Sequence, residues 1–251
     1  MANKKYIYGR YSFRTDVGKV RMNNEDRAVA LTNTRGNILL IVCDGMGGQN
    51  KGDLASSIAV ETISRAFQEK DKFGGKFFAK RWVANIVRQA NSDIFRQSSR
   101  NQQYQGMGTT ITLALIVNDY MVIAQVGDSR AYSYRNRNLT QLTEDQTYVQ
   151  YLYRIGKITK EEIDTHPKRH ILMNALGIYP SLDLDIKVHP YLGDTILLCS
   201  DGLYNNVAYK DILSIMKGND TPDQKVNELI SLANANGGSD NIAVVIWEAK
   251  E

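Results

Sequence analysis

Apolar positions in this chain fall into short runs that stop abruptly at polar or glycine-rich turns: "NILLIV", "TTITLALIV", "YMVIAQV", "DTILLC" and "DNIAVVIW". Their lengths suit strands, and "KKYIYGRYSF" near the N-terminus alternates with period two. "TTITLALIV" meets a turn at Asn118 and Asp119, after which "YMVIAQVGDSRAYSYR" runs back as the partner of a hairpin. Alternation and a turn-linked pair favour antiparallel sheets over a doubly wound parallel one.

Between the early and late strands the period changes to that of helices. Residues 53–70 place Leu54, Ile58, Ile63 and Phe67 near one face, and residues 76–100 carry Phe78, Trp82, Ile86, Ala90 and Ile94 at four-residue steps. Both stripes are read as core. Thr221-Pro222-Asp223-Gln224 opens a further helix, with a capping Thr, Pro at the first helical position and Gln completing a capping box. It carries Val226, Leu229, Ile230 and Ala233 and runs out at Gly237-Gly238. "LTEDQTYVQYLYRIGKITKEEIDTHPKRHILMNALG" reads as an excursion with two short helices, the second capped by Thr159 and Glu162 and stopped before Pro167. No repeat, low-complexity tract or linker interrupts the pattern, so residues 1–251 are expected to form a single domain with this excursion, about 143–177, as a subdomain.

Composition narrows the function classes. With 251 residues, 43% hydrophobic and 23% charged, the chain can bury a sizeable core as a soluble globular protein. A net charge of +4 suits an anionic substrate and equally an ordinary solvated surface. The densest basic patches, "RNRN" at Arg135 and "HPKRH" at His166, are short and lack interleaved aromatics, which argues against nucleic acid. No apolar run approaches the roughly 20 residues of a membrane span, and no secretory signal is visible, so a cytoplasmic location without membrane insertion is expected. Cys43 and Cys199 end apolar runs and read as inert core thiols.

The chemistry is carried by carboxylates. Asp44 follows "ILLIVC" and precedes Gly45, Asp201 follows "ILLCS" and precedes Gly202, Asp128 follows "MVIAQVG", and Asp240 precedes "IAVVIW". Any one of these is an ordinary turn aspartate. Four at comparable strand boundaries could converge at one end of antiparallel sheets, where their repulsion is tolerable only if divalent cations neutralise it. Oxygen-only ligands suit Mg²⁺ or Mn²⁺ rather than zinc, and the glycine after Asp44 lets a backbone carbonyl approach. Upstream, "TDVGKVRMNNEDRA" supplies Glu25 and Asp26 for an outer shell and Arg21 for an anion.

The ordered set "TDVGKVRMNNED", "VCDGMGG", "GDLAS", "GMGTT", "VGDSRAY", "LTEDQT", "THPKRHILMNALG", "LLCSDGLYNNV" and "GGSDNIAVV" resembles the metal-dependent protein serine/threonine phosphatases, the PPM or type-2C family, in their short bacterial form. The resemblance covers almost the whole chain. It implies an α+β fold, a four-layer αββα sandwich of two antiparallel sheets flanked by helices, with residues of about 143–177 as a flap concerned with substrate choice. It implies a Mn²⁺ or Mg²⁺ centre of two ions, bridged by Asp44, with the Gly45 carbonyl on one ion and Asp201 and Asp240 on the other. Asp128 would share a third, weaker ion with Asp201, Arg21 would hold the substrate phosphate, and Asp26 would orient water. The implied activity is hydrolysis of phosphoserine and phosphothreonine in proteins by a metal-activated water, opposing a bacterial Ser/Thr kinase; the partners are phosphorylated proteins, and a monomer is expected.

The departures from the family pattern touch proton handling. Met46 stands where many eukaryotic relatives have a histidine proposed as general acid, Gln49 and Gln146 stand where bacterial members usually have His, and Asp53 where they usually have Glu. His166, His170 and His189 match no metal spacing and read as flap or loop residues. Two rival readings are a pseudophosphatase serving as a regulatory binding module, against which the intact Asp44, Asp201, Asp240 and Arg21 argue, and a two-metal phosphodiesterase or nuclease, which would want a groove of Lys and Arg.

Overall fold

A computed structural model describes residues 8–47 and 51–250. The first four residues of the N-terminal alternation and Gln49 lie outside them. In chain order the strands are β1 (Gly9–Asp16), β2 (Arg27–Thr32), β3 (Ile38–Cys43), the short β4 (Gly45–Met46) and β5 (Gly108–Thr109), then β6 (Ile111–Val117), β7 (Tyr120–Val126), β8 (Arg130–Arg135) and β9 (Asn138–Gln141). Three more follow late: β10 (Asp185–Pro190), β11 (Thr195–Cys199) and β12 (Ile242–Ala249). The helices are α1 (Lys51–Gln68), α2 (Lys76–Arg100), α3 (Tyr148–Arg154), α4 (Lys160–Ile163), α5 (Asp201–Tyr204), α6 (Tyr209–Lys217) and α7 (Pro222–Ala235).

Two five-stranded antiparallel sheets, ordered β1-β12-β11-β8-β9 and β10-β7-β6-β3-β2, stack face to face. Between them lie Leu40, Val42, Ile116, Met121, Leu198, Val245 and Trp247. On the far side of the second sheet, Leu39, Ile41, Leu113 and Val122 pack under α1 and α2; on the far side of the first, Leu197, Val244 and Ile246 pack under α6 and α7. This four-layer α+β arrangement explains the unbroken apolar runs. Successive residues of a strand point to opposite faces, and here both faces are covered. Every residue of β3, β6 and β7 is buried accordingly.

Several expectations need correction. "YMVIAQVGDSRAYSYR" is not one strand: it breaks at Gly127, whose φ is +98°, and β8 joins the other sheet. A Cβ at Gly127 would stand 2.6 Å from the Thr110 side chain, so only glycine fits the crossing. The buried stripe of α2 is Ala79, Val83, Val87, Ala90, Asn91 and Ile94, whereas Phe78 is exposed and Trp82 and Ile86 are only partly buried. Four-residue steps drift round a helix of 3.6 residues per turn, so the series starts off the buried face at Phe78 and reaches it by Ala90 and Ile94. In α1 likewise Ala55 and Ala59 are buried and Leu54 and Ile58 are half-buried. His189 lies on the edge strand β10 rather than in a loop.

The flap segment does form α3 and α4, the latter with the expected capping box of Thr159 and Glu162. The Thr221–Gln224 capping box opens α7. No helix among the described residues is long and apolar enough to cross a membrane.

Candidate active site

Sheet register brings the strand ends together. Cys43 ends β3 beside β6, whose Ile111 pairs with the last residue of β7, Val126. Cys199 pairs with Arg130 of β8 on one side and Val244 of β12 on the other. The residues just past these positions, Asp44, Asp128, Asp201 and Asp240, therefore sit at one end of the sandwich, and all four line a cavity of about 1280 Å³ with Arg21, Glu25, Gly45 and Met46. Asp201 is the first residue of α5, not part of a turn.

Each carboxylate is held in place through its neighbours. The Asp44 N–H donates to Thr110 Oγ1 (2.9 Å), and its carbonyl accepts from the Thr110 N–H (2.8 Å) and Thr109 Oγ1 (2.9 Å). A Cβ at Gly45 would lie 2.3 Å from the Gly52 carbonyl oxygen and 2.6 Å from that of Glu25, so this turn packs too closely for any side chain. Ser200 Oγ donates to Asp26 Oδ2 (2.6 Å) and accepts from the Ala243 N–H (2.8 Å). Asp26 lies behind the cavity lining, 1% exposed. Asn241 staples the β1–β2 loop to the site: its Nδ2 donates to the Val17 and Asn23 carbonyls (both 2.9 Å) and its Oδ1 accepts from the Glu25 N–H (2.8 Å). That loop carries Arg21, whose Nη2 donates to Asp240 Oδ2 at 2.8 Å. Arg21 thus pairs with Asp240 and not with Glu25.

Burial and mutual repulsion act on this group together. Burial, followed by the charges of Asp26 and Asp201, holds the Asp44 carboxyl well above the usual range. Burial and then repulsion from Asp201 and Asp240 push Asp26 up to about 8, against the opposing Ser200 hydrogen bond. Asp128 is pushed up to about 7 by burial, Asp201 and Asp145, and Asp201 to about 6 by burial and Asp240. Asp26, Asp201, Asp128 and Asp240 all act on the Asp44 carboxyl, so the group titrates as one interacting set.

The donor set fits hard divalent ions. Asp26 Oδ1 and Asp201 Oδ1 are buried without a hydrogen-bond partner among the described residues, an expensive state that a cation relieves. Among those residues no three His, Cys, Asp or Glu side chains gather tightly enough to enclose one ion. Mg²⁺ and Mn²⁺ take much of their coordination from water and carbonyl oxygen, which the carboxylates here would supplement. Cys43 and Cys199 are fully buried and their thiols are pushed up by burial, so neither is a nucleophile.

The sequence profile of the protein phosphatase 2C family matches residues 19–240. The chain belongs to the protein phosphatase 2C family. It is 40% identical over 237 residues to the serine/threonine phosphatase stp of Listeria monocytogenes, covering 94% of each chain. The fold matches the crystal structure of the serine/threonine phosphatase Stp1 from Staphylococcus aureus with a TM-score of 0.91, at 31% identity and over 97% of this chain and 96% of that one. It also matches the catalytic domain of the phosphatase PstP in complex with two manganese ions, with a TM-score of 0.85, 33% identity and 97% and 99% coverage. Protein phosphatase 2C enzymes are metal-dependent.

Within this phosphatase 2C chain the structure adds residues that sequence reading did not single out: Thr110, Ser200, Asn241, Arg130 and Tyr204. Arg130 grips Asp145 with two nitrogens (Nε to Oδ1 3.0 Å, Nη2 to Oδ2 2.6 Å) and lies 3.5 Å above the Tyr204 ring, whose hydroxyl donates to the Asp128 carbonyl (3.2 Å). The signal was present in "GDSR" and "LTED", but the pairing is made only in the folded chain. Gln146 is a clasp at the root of the flap. Its Oε1 accepts from the Gly127 N–H and Asn174 Nδ2 (both 3.0 Å), while its backbone pairs with the Gly127 carbonyl and the Met173 N–H. Asp53 pairs with Arg27. His170 lines the cavity, its pKa lowered by burial and by Arg169.

Proposed function

We propose that this enzyme removes phosphate from phosphoserine and phosphothreonine in proteins, at a centre of two Mn²⁺ or Mg²⁺ ions. The observation that carries the reading is the arrival of four aspartates from four separate elements in one cavity with Arg21. Asp44, the Gly45 carbonyl, Asp201 and Asp240 would hold the two core ions, and Asp128 with Asp201 would hold a third, weaker one. When bound, the cations supply an activated water and neutralise the phosphoryl oxygens. Arg21 grips the phosphate through its fork of N–H donors, reaching it from the Asp240 side of the cavity. Asp26, fixed by Ser200, keeps Oδ1 free to accept a hydrogen bond from water and so orient it. Met46 has no proton to give, so the departing serine or threonine oxygen takes its proton from water in the cavity. The natural substrates are phosphorylated proteins, including the products of a Ser/Thr kinase. Turnover of an aryl phosphate and of a phosphothreonine protein with Mn²⁺, abolished by EDTA and restored by excess Mn²⁺, is the expected result. EDTA-resistant turnover, or none with either substrate, would overturn the reading.

A further inference from the structure

The cavity holds more than a phosphoryl group. Besides the carboxylates it is lined by the β8–β9 edge of one sheet, the start of α6 and flap residues 169–172, a part of the wall termed its side lobe. Gln141 on β9, Asn205 after α5 and Tyr209 at the start of α6 are all exposed in this lobe. Tyr209 is 50% exposed although its hydroxyl donates to the Leu139 carbonyl, so a tethered ring stays open to the cavity. Ile171 of the flap, which lines the same cavity, is 47% exposed.

The polar groups of the lobe are one-sided. Gln141 Nε2 donates to the Thr143 carbonyl and Asp145 Oδ1, and Asn205 Nδ2 donates to Asp201 Oδ2. Both amide oxygens are left without a partner among the described residues and can accept from a substrate. An extended polypeptide offers what matches: backbone N–H donors and side chains that leave its two faces alternately. Arg130 lines the lobe but is neutralised by Asp145, which leaves Arg169 as its one cation without an ion pair among the described residues, short of the row of free cations that a phosphodiester backbone requires.

We propose that this lobe is the subsite for the polypeptide flanking the phosphorylated residue, with Gln141 and Asn205 accepting from its backbone and Tyr209 taking an apolar side chain. The proposal rests on the phosphatase reading above and makes Tyr209 a specificity-determining residue. Continuity supports it: Arg21, Asp240 and Tyr209 line one cavity.

The test uses a phosphothreonine peptide series with one Leu moved through three positions on either side of the phosphothreonine in an Ala/Gly/Ser host, alongside p-nitrophenyl phosphate, with Mn²⁺. The wild type should favour Leu at one or more positions. Tyr209→Ala should erase that preference, raising KM for the preferred peptide about tenfold, as for loss of one apolar pocket contact. Its kcat, and both constants for p-nitrophenyl phosphate, should stay within about twofold, the signature of lost uniform binding. Tyr209→Phe, which keeps the ring and loses the Leu139 bond, should retain the preference. Absence of any Leu preference in the wild type, its survival in Tyr209→Ala, or equal losses on peptide and aryl phosphate would overturn the proposal. Turnover of nucleoside monophosphates that is lost in Tyr209→Ala while peptides are unaffected would assign the lobe to a base and overturn it too. Should the wild type hydrolyse neither p-nitrophenyl phosphate nor any peptide, the phosphatase reading itself fails, a separate outcome.

Discussion

Replacing Asp44 by Asn tests the carboxylate cluster through activity and stability at once. In protein stripped of metal, Asp26, Asp128 and Asp201 keep protons up to about pH 8, 7 and 6, whereas an unfolded aspartate loses its proton near pH 4. Between those limits the folded state binds more protons than the unfolded one, so stability must fall as pH rises. Each such proton contributes a slope of about 1.4 kcal/mol per pH unit. From pH 5 to 8 the three groups hold excess protons for about three, two and one pH units, a ceiling of about 8 kcal/mol, and relaxation of the site reduces this to a few kcal/mol. Asp44 itself has to hold a proton well above the usual carboxylate range in the folded state, so Asp44→Asn, which needs none, should flatten the decline and stabilise the chelated protein by about 1–3 kcal/mol near pH 7.5. Saturating Mn²⁺ should stabilise the wild type strongly and Asp44→Asn weakly, and turnover in Asp44→Asn should be lost. Urea unfolding in EDTA at pH 5, 6, 7 and 8, with and without Mn²⁺, provides the numbers. Metal-free stability that is flat or rising over that window, or near-normal turnover in Asp44→Asn, would refute the reasoning.

Arg21→Ala removes a charge-assisted contact worth about 1.5–3 kcal/mol, so kcat/KM on an aryl phosphate should fall roughly 10- to 150-fold, mostly through KM, and Arg21→Lys should recover only part. A change under about threefold would leave Arg21 as no more than a surface partner of Asp240. Gln146→Leu deletes the acceptor that joins Gly127 to Asn174, so hydrogen exchange should quicken across residues 143–177 and rates on phosphoproteins should fall more than on an aryl phosphate. Gln146→Glu, which keeps the acceptor, should preserve slow exchange; equal exchange in all three proteins would show that the clasp holds nothing.

What the sequence determined by itself was local: where apolar runs stop, which residue stands at each stop, and which short patterns cap a helix. Asp44, Asp128, Asp201 and Asp240 could be picked out because burial of the run before or after each one is a property of consecutive residues. The capping boxes at Thr159 and Thr221 and the hairpin turn at Asn118 were legible for the same reason. Phase and partnership were not. In the α2 stripe Ala90 and Ile94 are core and Trp82 and Ile86 pack against it, but Phe78 is exposed, because helical drift separates residues that four-residue steps group together and only packing on the sheet selects the face. The break at Gly127, which sends β8 into the opposite sheet and sets Asp128 in the cavity, depends on the Thr110 side chain, 17 residues away in sequence. Asn241 holding the Arg21 loop, Ser200 fixing Asp26, and Gln146 tying both ends of the flap are contacts between segments far apart in the chain. A hydrogen bond between distant residues leaves no period or spacing in the sequence; it exists once register and layer packing have brought its two ends within 3 Å.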